Sequence, residues 1–361
     1  MSITNTYILM ISCLLASQAI AENIEDYRLY RSPHYLGRGD TGIANADNQE
    51  AIFYNPAGLA QGKGIYKKTI FASPHIELSS DTKDLVRKVA SEDNTSPSAL
   101  REHVGVNQHV GASNFSGVVF RRAALGGVVN TNNNFLLAKS PENSGIEVLD
   151  ANSTTNIMGT FSIAEGFFNQ FFLVGTTIKY LQQTHAQASL NVIDSSAASD
   201  ALDDGSNQNS YSGIGADLGM MLIWQGKNPF SLGLTIENVG GLDLANDISG
   251  GASRKIPQLV NAGLAIDTGT KLSRLKFMLD FRDLTSEVED NMLLKTHFGM
   301  EMTIGSFMGL TAGLNQGYPG FGAYVDLYAF RFDIGTYTQE MGTFAGSRGD
   351  NRIYLRLSAG I

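Results

Sequence analysis

From residue 274 onward the chain alternates apolar and polar side chains with a period of two, and this alternation restricts the folds open to it. In "RLKFMLDFRDL", Leu275, Phe277, Leu279 and Phe281 share one face, with Lys276, Met278, Asp280 and Arg282 on the other. "LLKTHFGMEMTI" sets Leu294, Phe298, Met300, Met302 and Ile304 against Lys295, His297, Glu301 and Thr303. "RIYLRLSAGI" sets Ile353, Leu355, Leu357, Ala359 and Ile361 against Arg352, Tyr354, Arg356 and Ser358. These segments read as strands, because a helix would scatter the charges around its surface. A soluble sandwich buries the apolar face, whereas a membrane barrel turns it to lipid and lines the lumen with the polar one. Alternation by itself fits both.

The connections separate the two. Strands are expected near 64–76, 114–122, 124–137, 147–164, 169–183, 211–225, 229–239, 257–267, 273–284, 293–304, 306–315, 320–328, 329–339 and 350–361. After odd-numbered strands come long polar stretches such as "ASLNVIDSSAASDALDDGSNQNS", and after even-numbered ones short turns such as "AEGF", "QGKNP" and "DTGTK". Long outer loops alternating with tight turns at the opposite end are a barrel's signature, and a sandwich has no reason to keep that parity. The expectation is an all-β protein, a transmembrane outer-membrane antiparallel β-barrel of about 14 strands, with both termini at the short-turn end. Only 8 prolines interrupt the series, while 39 glycines suit bulges and crowded lumen faces. Trp224, Phe230, Tyr328 and Phe330 lie near strand ends, where an interfacial girdle belongs, although aromatic residues also fill ordinary β cores.

Other features agree with that class. Residues 1–21 contain the apolar run "YILMISCLLASQAIA", too short to span a bilayer, and end on Ala19-Ile20-Ala21, a small-x-small cleavage pattern. They read as a signal peptide, with the mature chain beginning at Glu22. Cys13, the one cysteine, falls inside that run, so the mature chain has no disulfide, thiolate metal site or cysteine nucleophile. No later stretch is long and apolar enough for a transmembrane helix. A net charge of -9 argues against a nucleic-acid partner.

Residues 22–63 do not alternate. They hold "YLGRGDTGIANADNQEAIFYNPAGLAQGKG", which runs directly into the first strand of the 64–361 barrel. Pro56 fixes its own φ and lacks a donor, and Asn55 before it is pushed toward extended backbone, so Asn55-Pro56-Ala57 forms a rigid turn. On local chemistry alone the segment is either a plug inside the lumen or a turn leading into strand one.

This segment resembles the hatch of the FadL-type outer-membrane transporters of long-chain fatty acids and other hydrophobic compounds. The likeness is most specific over residues 35–60, where Asn55, Pro56 and Ala57 match the family's hatch motif. The carboxy-terminal stretch is similar to a broader set of FadL-like barrels that includes PorV-type partners of secretion. The chain departs from the family in ending on Ile361, where an aromatic residue is common, and in being shorter. The resemblance implies an N-terminal hatch in a fourteen-strand barrel and passive uptake of hydrophobic small molecules such as long-chain fatty acids. It also implies a Gram-negative outer membrane, contact with membrane lipid and lipopolysaccharide, insertion by the barrel assembly machinery, and no cofactor. A FadL-like barrel that docks secreted or envelope proteins is the alternative.

In the family, substrate leaves sideways beside a kinked strand. Gly126-Gly127, followed by an Asn run in the third strand, is the candidate for that kink. On the fifth strand, an inward Lys179 places Phe171 and Leu173 on the same face as a candidate apolar lumen patch, a register that a slip of one residue would reverse. The charged lumen positions Lys276, Asp280, Arg282, Lys295, His297, Glu301, Asp326, Arg331, Asp333, Arg352 and Arg356 read mainly as cross-strand ion pairs, with a carboxylate-binding arginine as the second reading. The six histidines have no metal-ligand spacing, "DALDDGSN" fails as a calcium loop, and "GRGD" and "SRGD" read as turns. No catalytic motif is present; His297 with Ser306 is the best pair a barrel hydrolase could draw on.

Overall fold

The computed structural model describes residues 27–61, 70–82, 105–120, 122–139, 147–191, 208–247, 251–270, 272–305, 307–342 and 344–360. The expected signal peptide, residues 22–26 and 62–69, and Ser306 lie outside these ranges.

The wall comprises β1 (Ile70–Ser79), β2 (Asn107–Phe120), β3 (Ala123–Lys139), β4 (Glu147–Phe167), β5 (Phe172–Asn191), β6 (Gln208–Trp224) and β7 (Phe230–Glu237). After a short hairpin of β8 (Leu242–Asn246) and β9 (Arg254–Ile256) it continues through β10 (Leu259–Gly269), β11 (Ser273–Phe281), β12 (Thr296–Ile304), β13 (Met308–Asn315), β14 (Tyr318–Leu327), β15 (Phe330–Glu340) and β16 (Gly349–Gly360). Neighbours pair antiparallel in chain order, β7 joins β10, and β1 pairs with β16, so fourteen strands close on themselves and leave no free edge. Closure matters in a bilayer, where an unpaired backbone group would cost several kcal/mol.

All fourteen expected strands are present in order, with ends displaced by several residues; β2 begins at Asn107 and β5 runs on to Asn191. The β8–β9 hairpin has no counterpart in the expected series. Leu294, expected on the lipid face of a strand, instead sits fully buried in a short helix, α1 (Met292–Lys295), capped by the Asn291 side chain, which accepts from the Leu293 N–H. Elsewhere the period of two sorts the side chains as expected. On β11, Phe277 is exposed while Met278 and Asp280 are buried, and on β16 Ile353, Leu355 and Leu357 are exposed while Tyr354 and Arg356 are buried.

The outer face therefore carries an apolar band, as a lipid-facing wall requires. Trp224, Tyr328 and Phe330 are exposed at the short-turn end, and Trp224 packs against Phe171 and Phe230, which fits the girdle reading over core packing. Connections at that end span only 121–122, 168–171, 225–229, 270–272, 305–307 and 328–329. At the other end most connections are longer, the two-residue turn Gln316-Gly317 excepted.

Ile178, outward and 52% exposed, lies about midway along the membrane-crossing part of β5. Ile178→Arg is expected to lower the reversible unfolding free energy in lipid vesicles by about 2–4 kcal/mol. An unchanged value would place this face away from lipid.

Candidate functional site

Residues 27–61 occupy the barrel interior. A helical turn, α2 (Pro33–Leu36), begins with proline, whose missing N–H costs nothing there. Gly39 (φ 70°) and Asp40 (φ 61°) then reverse the chain in left-handed backbone. A second turn, α3 (Ala51–Tyr54), ends at Asn55, which is extended at φ -163° and ψ 102° as a residue before proline should be. A 3-10 turn over Pro56–Gln61 follows. Asn55 organises this corner: its Nδ2 donates to the carbonyls of Ile43 (2.7 Å) and Met220 (3.1 Å), and its Oδ1 accepts from the Ala57 N–H (3.1 Å). Asn55, Pro56 and Ala57 thus tie two hatch segments to β6 in a single side-chain network.

The wall receives the hatch on glycines that face one another across strand pairs. Gly175 opposes Gly219, Gly233 opposes Gly263, and Gly299 opposes Gly313. A Cβ at Gly175 or Gly219 would collide with the Asn55–Ala57 turn, at Gly233 or Gly263 with Ile43 and Ala44, and at Gly299 or Gly313 with Arg38, Gly39 or Thr41. Three stretches of hatch backbone therefore lie directly on wall backbone. The abundance of glycine is plain in the sequence, but its registration becomes visible only once strands are aligned.

Buried charges lock the same contact. Asp40 is the hub, accepting from Arg28, Arg31 (3.0 Å) and the Tyr54 hydroxyl within the hatch, and paired with Arg282 of the wall (3.2 Å). Burial raises the Asp40 carboxyl, but the guanidinium groups of Arg28, Arg282 and Arg31 outweigh it and hold it well below the usual carboxylate range. Arg38 reaches Glu301 (2.5 Å), and Arg356 bridges Glu50 (2.7 Å) to Asp333 (2.8 Å). Asp280 accepts the N–H groups of Gly42 (2.7 Å) and Ile43 (3.0 Å), and Ser231 donates to the Ala44 carbonyl (2.7 Å). His34 is lowered to about 4 by burial and by Arg331, and its neutral ring accepts from that guanidinium (2.5 Å). The expected cross-strand pairs do occur, as in Asp333 with Arg356, but most of the wall charges are spent on the hatch. His297 is likewise taken up by a contact of its Nδ1 with the Gly39 carbonyl (3.1 Å).

The strand interruption lies elsewhere than expected. Gly126 and Gly127 are paired without a break to Gly117 and Ser116 on β2 and to Thr160 and Gly159 on β4, so β3 has no kink there. Two adjacent glycines in a fully paired strand merely omit side chains, and the Gly126 space is filled by Thr160 and Phe115. The break falls between β7 and β8. Leu218 pairs with Ile236 and Ser212 with Ala245, so six steps on β6 face nine on its neighbour. The extra residues form a bulge at Asn238–Gly241, with φ 52° at Asn238, 79° at Gly240 and 86° at Gly241. Asp217 pins it, accepting the Asn238 N–H (2.7 Å) and the Lys179 ammonium (2.6 Å). Beyond the bulge, the chain folds inward over Gly213 and Gly215, burying Leu242, Leu244 and Ile256. Leu173 is buried inside the barrel and Lys179 faces inward as expected. Phe171 does not join them: it is 36% exposed in the turn before β5 and meets Trp224 edge-on at 5.3 Å. Phe168, Asn169 and Gln170 all adopt positive φ, and this left-handed turn shifts the strand start past Phe171.

No protein-family model matches the sequence, and no curated protein matches it either. Among solved structures, the CymD monoaromatic hydrocarbon channel aligns over 92% of this chain and 98% of its own, at 13% identity and a TM-score of 0.50. The chain has the barrel fold of that channel. The Pseudomonas putida toluene transporter TodX aligns over 90% and 95% at 8% identity with a TM-score of 0.47. A Pseudomonas aeruginosa FadL homologue aligns over 90% and 97% at 11% identity with the same score.

Two variants test the seating of the hatch. Asp40→Asn removes the carboxylate shared by the buried guanidinium groups of Arg28 and Arg282 and the half-buried one of Arg31, a loss of about 3–5 kcal/mol, and should open Arg28 and Arg31 to trypsin in a barrel that still inserts. Gly233→Leu should raise small-ion conductance in planar bilayers, whereas Gly159→Ala, with open space at its Cβ, should leave it at the wild-type level. Trypsin resistance in the first variant, or unchanged conductance in the second, would show that the hatch is held by other contacts.

Proposed function

We propose that this barrel is an outer-membrane channel for the passive uptake of hydrophobic small molecules, long-chain fatty acids among them, with its short turns in the periplasm. The observation that carries this reading is the combination of a filled lumen with a bulged wall. The hatch is fixed to the wall in three places by backbone contact and buried ion pairs, so among the described residues it obstructs a water column through the barrel. A porin keeps such a column; a carrier of hydrophobic compounds has no need of it. Beside the hatch, the bulge at Asn238–Gly241 interrupts the wall, next to an apolar cluster that includes Leu181, Leu242, Leu244 and Ile256. An apolar molecule descending from the long-loop end meets that cluster and then the interruption, and a sideways exit there needs no movement of the hatch. The structural likeness to a hydrocarbon channel supports the same class of cargo. The role is transport and not catalysis, in keeping with a His297 committed to the hatch backbone.

The test is uptake of labelled oleate and toluene by a Gram-negative host that lacks its own channel for them. Expression should raise uptake several-fold over vector without sensitising the cells to hydrophilic antibiotics. Deletion of Val239–Gly241 removes the extra residues and should return uptake to the vector level while the barrel still folds. Absence of uptake in the intact protein would end the channel reading and leave a docking role. Full uptake in the deletion would place the exit elsewhere.

A further inference from the structure

On the short-turn side of the hatch, a cavity of about 320 Å³ lies between the hatch and strands β6, β7, β10 and β11. Its roof is Ala44, Asn45 and Asp47 together with Gln61, and Gln225 and Pro229 stand at its turn end. One part of its lining is apolar: Ala44, Ile223 and Ala265 are all buried there. The other part is charged, and its two cations are differently engaged. Arg274 is held by both oxygens of Asp267. Lys276 has, among the described residues, one hydrogen bond, a long one of 3.4 Å to Asp47. An ammonium carries three donors, so Lys276 has donors to spare beside the cavity, and that partner is a carboxylate that is 39% exposed on the hatch.

We propose that this cavity binds a small carboxylate amphiphile, its head on the Lys276 ammonium and its tail over Ala44, Ile223 and Ala265. Size sets the class. At roughly 30 Å³ per water, the cavity holds the equivalent of about ten waters, enough for a ligand of about ten non-hydrogen atoms and too little for a long acyl chain. Charge sets the head group. The spare donors favour an anion, and Asp47 becomes the competitor that the ligand's carboxylate displaces. The lining also holds two carboxylates, but Asp267 is taken up by Arg274, so a cationic head could turn only to Asp47 and would sit beside the Lys276 ammonium. The channel reading above supplies only the side of the membrane this site faces; the chemistry of the cavity stands without it.

Octanoate, which has a carboxylate head and ten non-hydrogen atoms, is the probe. Calorimetric titration into the intact barrel in lipid nanodiscs, with empty nanodiscs as blank, is expected to show saturable one-to-one binding. Octylammonium should show none and 1-octanol about tenfold weaker binding, the worth of a charge-assisted hydrogen bond. Lys276→Met should weaken octanoate about tenfold, whereas Asp47→Asn should tighten it severalfold by removing the competitor, a gain that loss of a merely structural ion pair would not produce. Heat-modifiable migration confirms that each variant is folded. Octylammonium binding as well as octanoate, or affinity unchanged in Lys276→Met, or weakened in Asp47→Asn, would overturn the proposal. Oleate uptake measured separately keeps the two ideas apart: uptake without octanoate binding sinks this site alone, and binding without uptake sinks the channel reading alone.

Discussion

Everything in this barrel depends on hatch backbone lying directly against wall backbone. Such an approach is possible only where the wall has no inward side chain on either of two facing strands, and Gly175–Gly219, Gly233–Gly263 and Gly299–Gly313 provide it. Once the chains are that close, the hatch's peptide groups leave water and must find partners in the wall. Asp280, Ser231 and the Met220 carbonyl supply them. The charged residues follow the same logic, since a buried guanidinium or carboxylate is tolerable only when paired. Arg38, Asp40 and Glu50 on the hatch are therefore matched by Glu301, Arg282 and Arg356 on the wall.

That arrangement shifts attention from the hatch to the wall. A plug held by backbone contacts and several buried ion pairs is a poor gate, because opening it would strand charges in a low-dielectric interior. The bulge at Asn238–Gly241 is a different kind of feature. Its left-handed residues are held by a few hydrogen bonds, from the Asn238 N–H to Asp217, the Gly240 N–H to Gln258 and the Gly241 N–H to the Asn238 carbonyl, and the hairpin beyond it folds inward as a unit. If hydrophobic molecules cross this protein, the interruption on their path is in the wall beside the hatch and not in the hatch itself.

In β11, β12 and β16 the period of two is strong enough to make both strand and face legible in the amino acids themselves, because each strand has one lipid side and one polar side. Asn55-Pro56-Ala57 is legible for a related reason: its conformation is set by its own residues. The failures share a cause in long-range geometry. Gly126-Gly127 looks like an interruption because glycine weakens strands, yet whether it does so depends on partners that only alignment of β2 and β4 reveals. The real break carries a local signal, Asn238 followed by Gly240-Gly241, but it sits at the end of an expected strand and reads as an ordinary turn into a loop. Phe171 departs from its expected face because three left-handed residues move the start of β5. The destination of each lumen charge is not legible at all, since Arg38 and Glu301 stand 263 residues apart.

The central claim, that hydrophobic molecules pass while the hatch stays seated, is tested most directly by locking it. Thr41 on the hatch and Met278 on β11 touch at 3.6 Å, and Cys13 is the only native cysteine, so Thr41→Cys with Met278→Cys in a Cys13→Ser background offers one hatch-to-wall thiol pair for oxidative cross-linking, its formation checked by mass spectrometry. Uptake of a hydrophobic probe is then compared in the oxidised and reduced protein. Equal uptake is expected in both states. Uptake abolished on oxidation and restored by reductant would show that the hatch must move, and would contradict that claim.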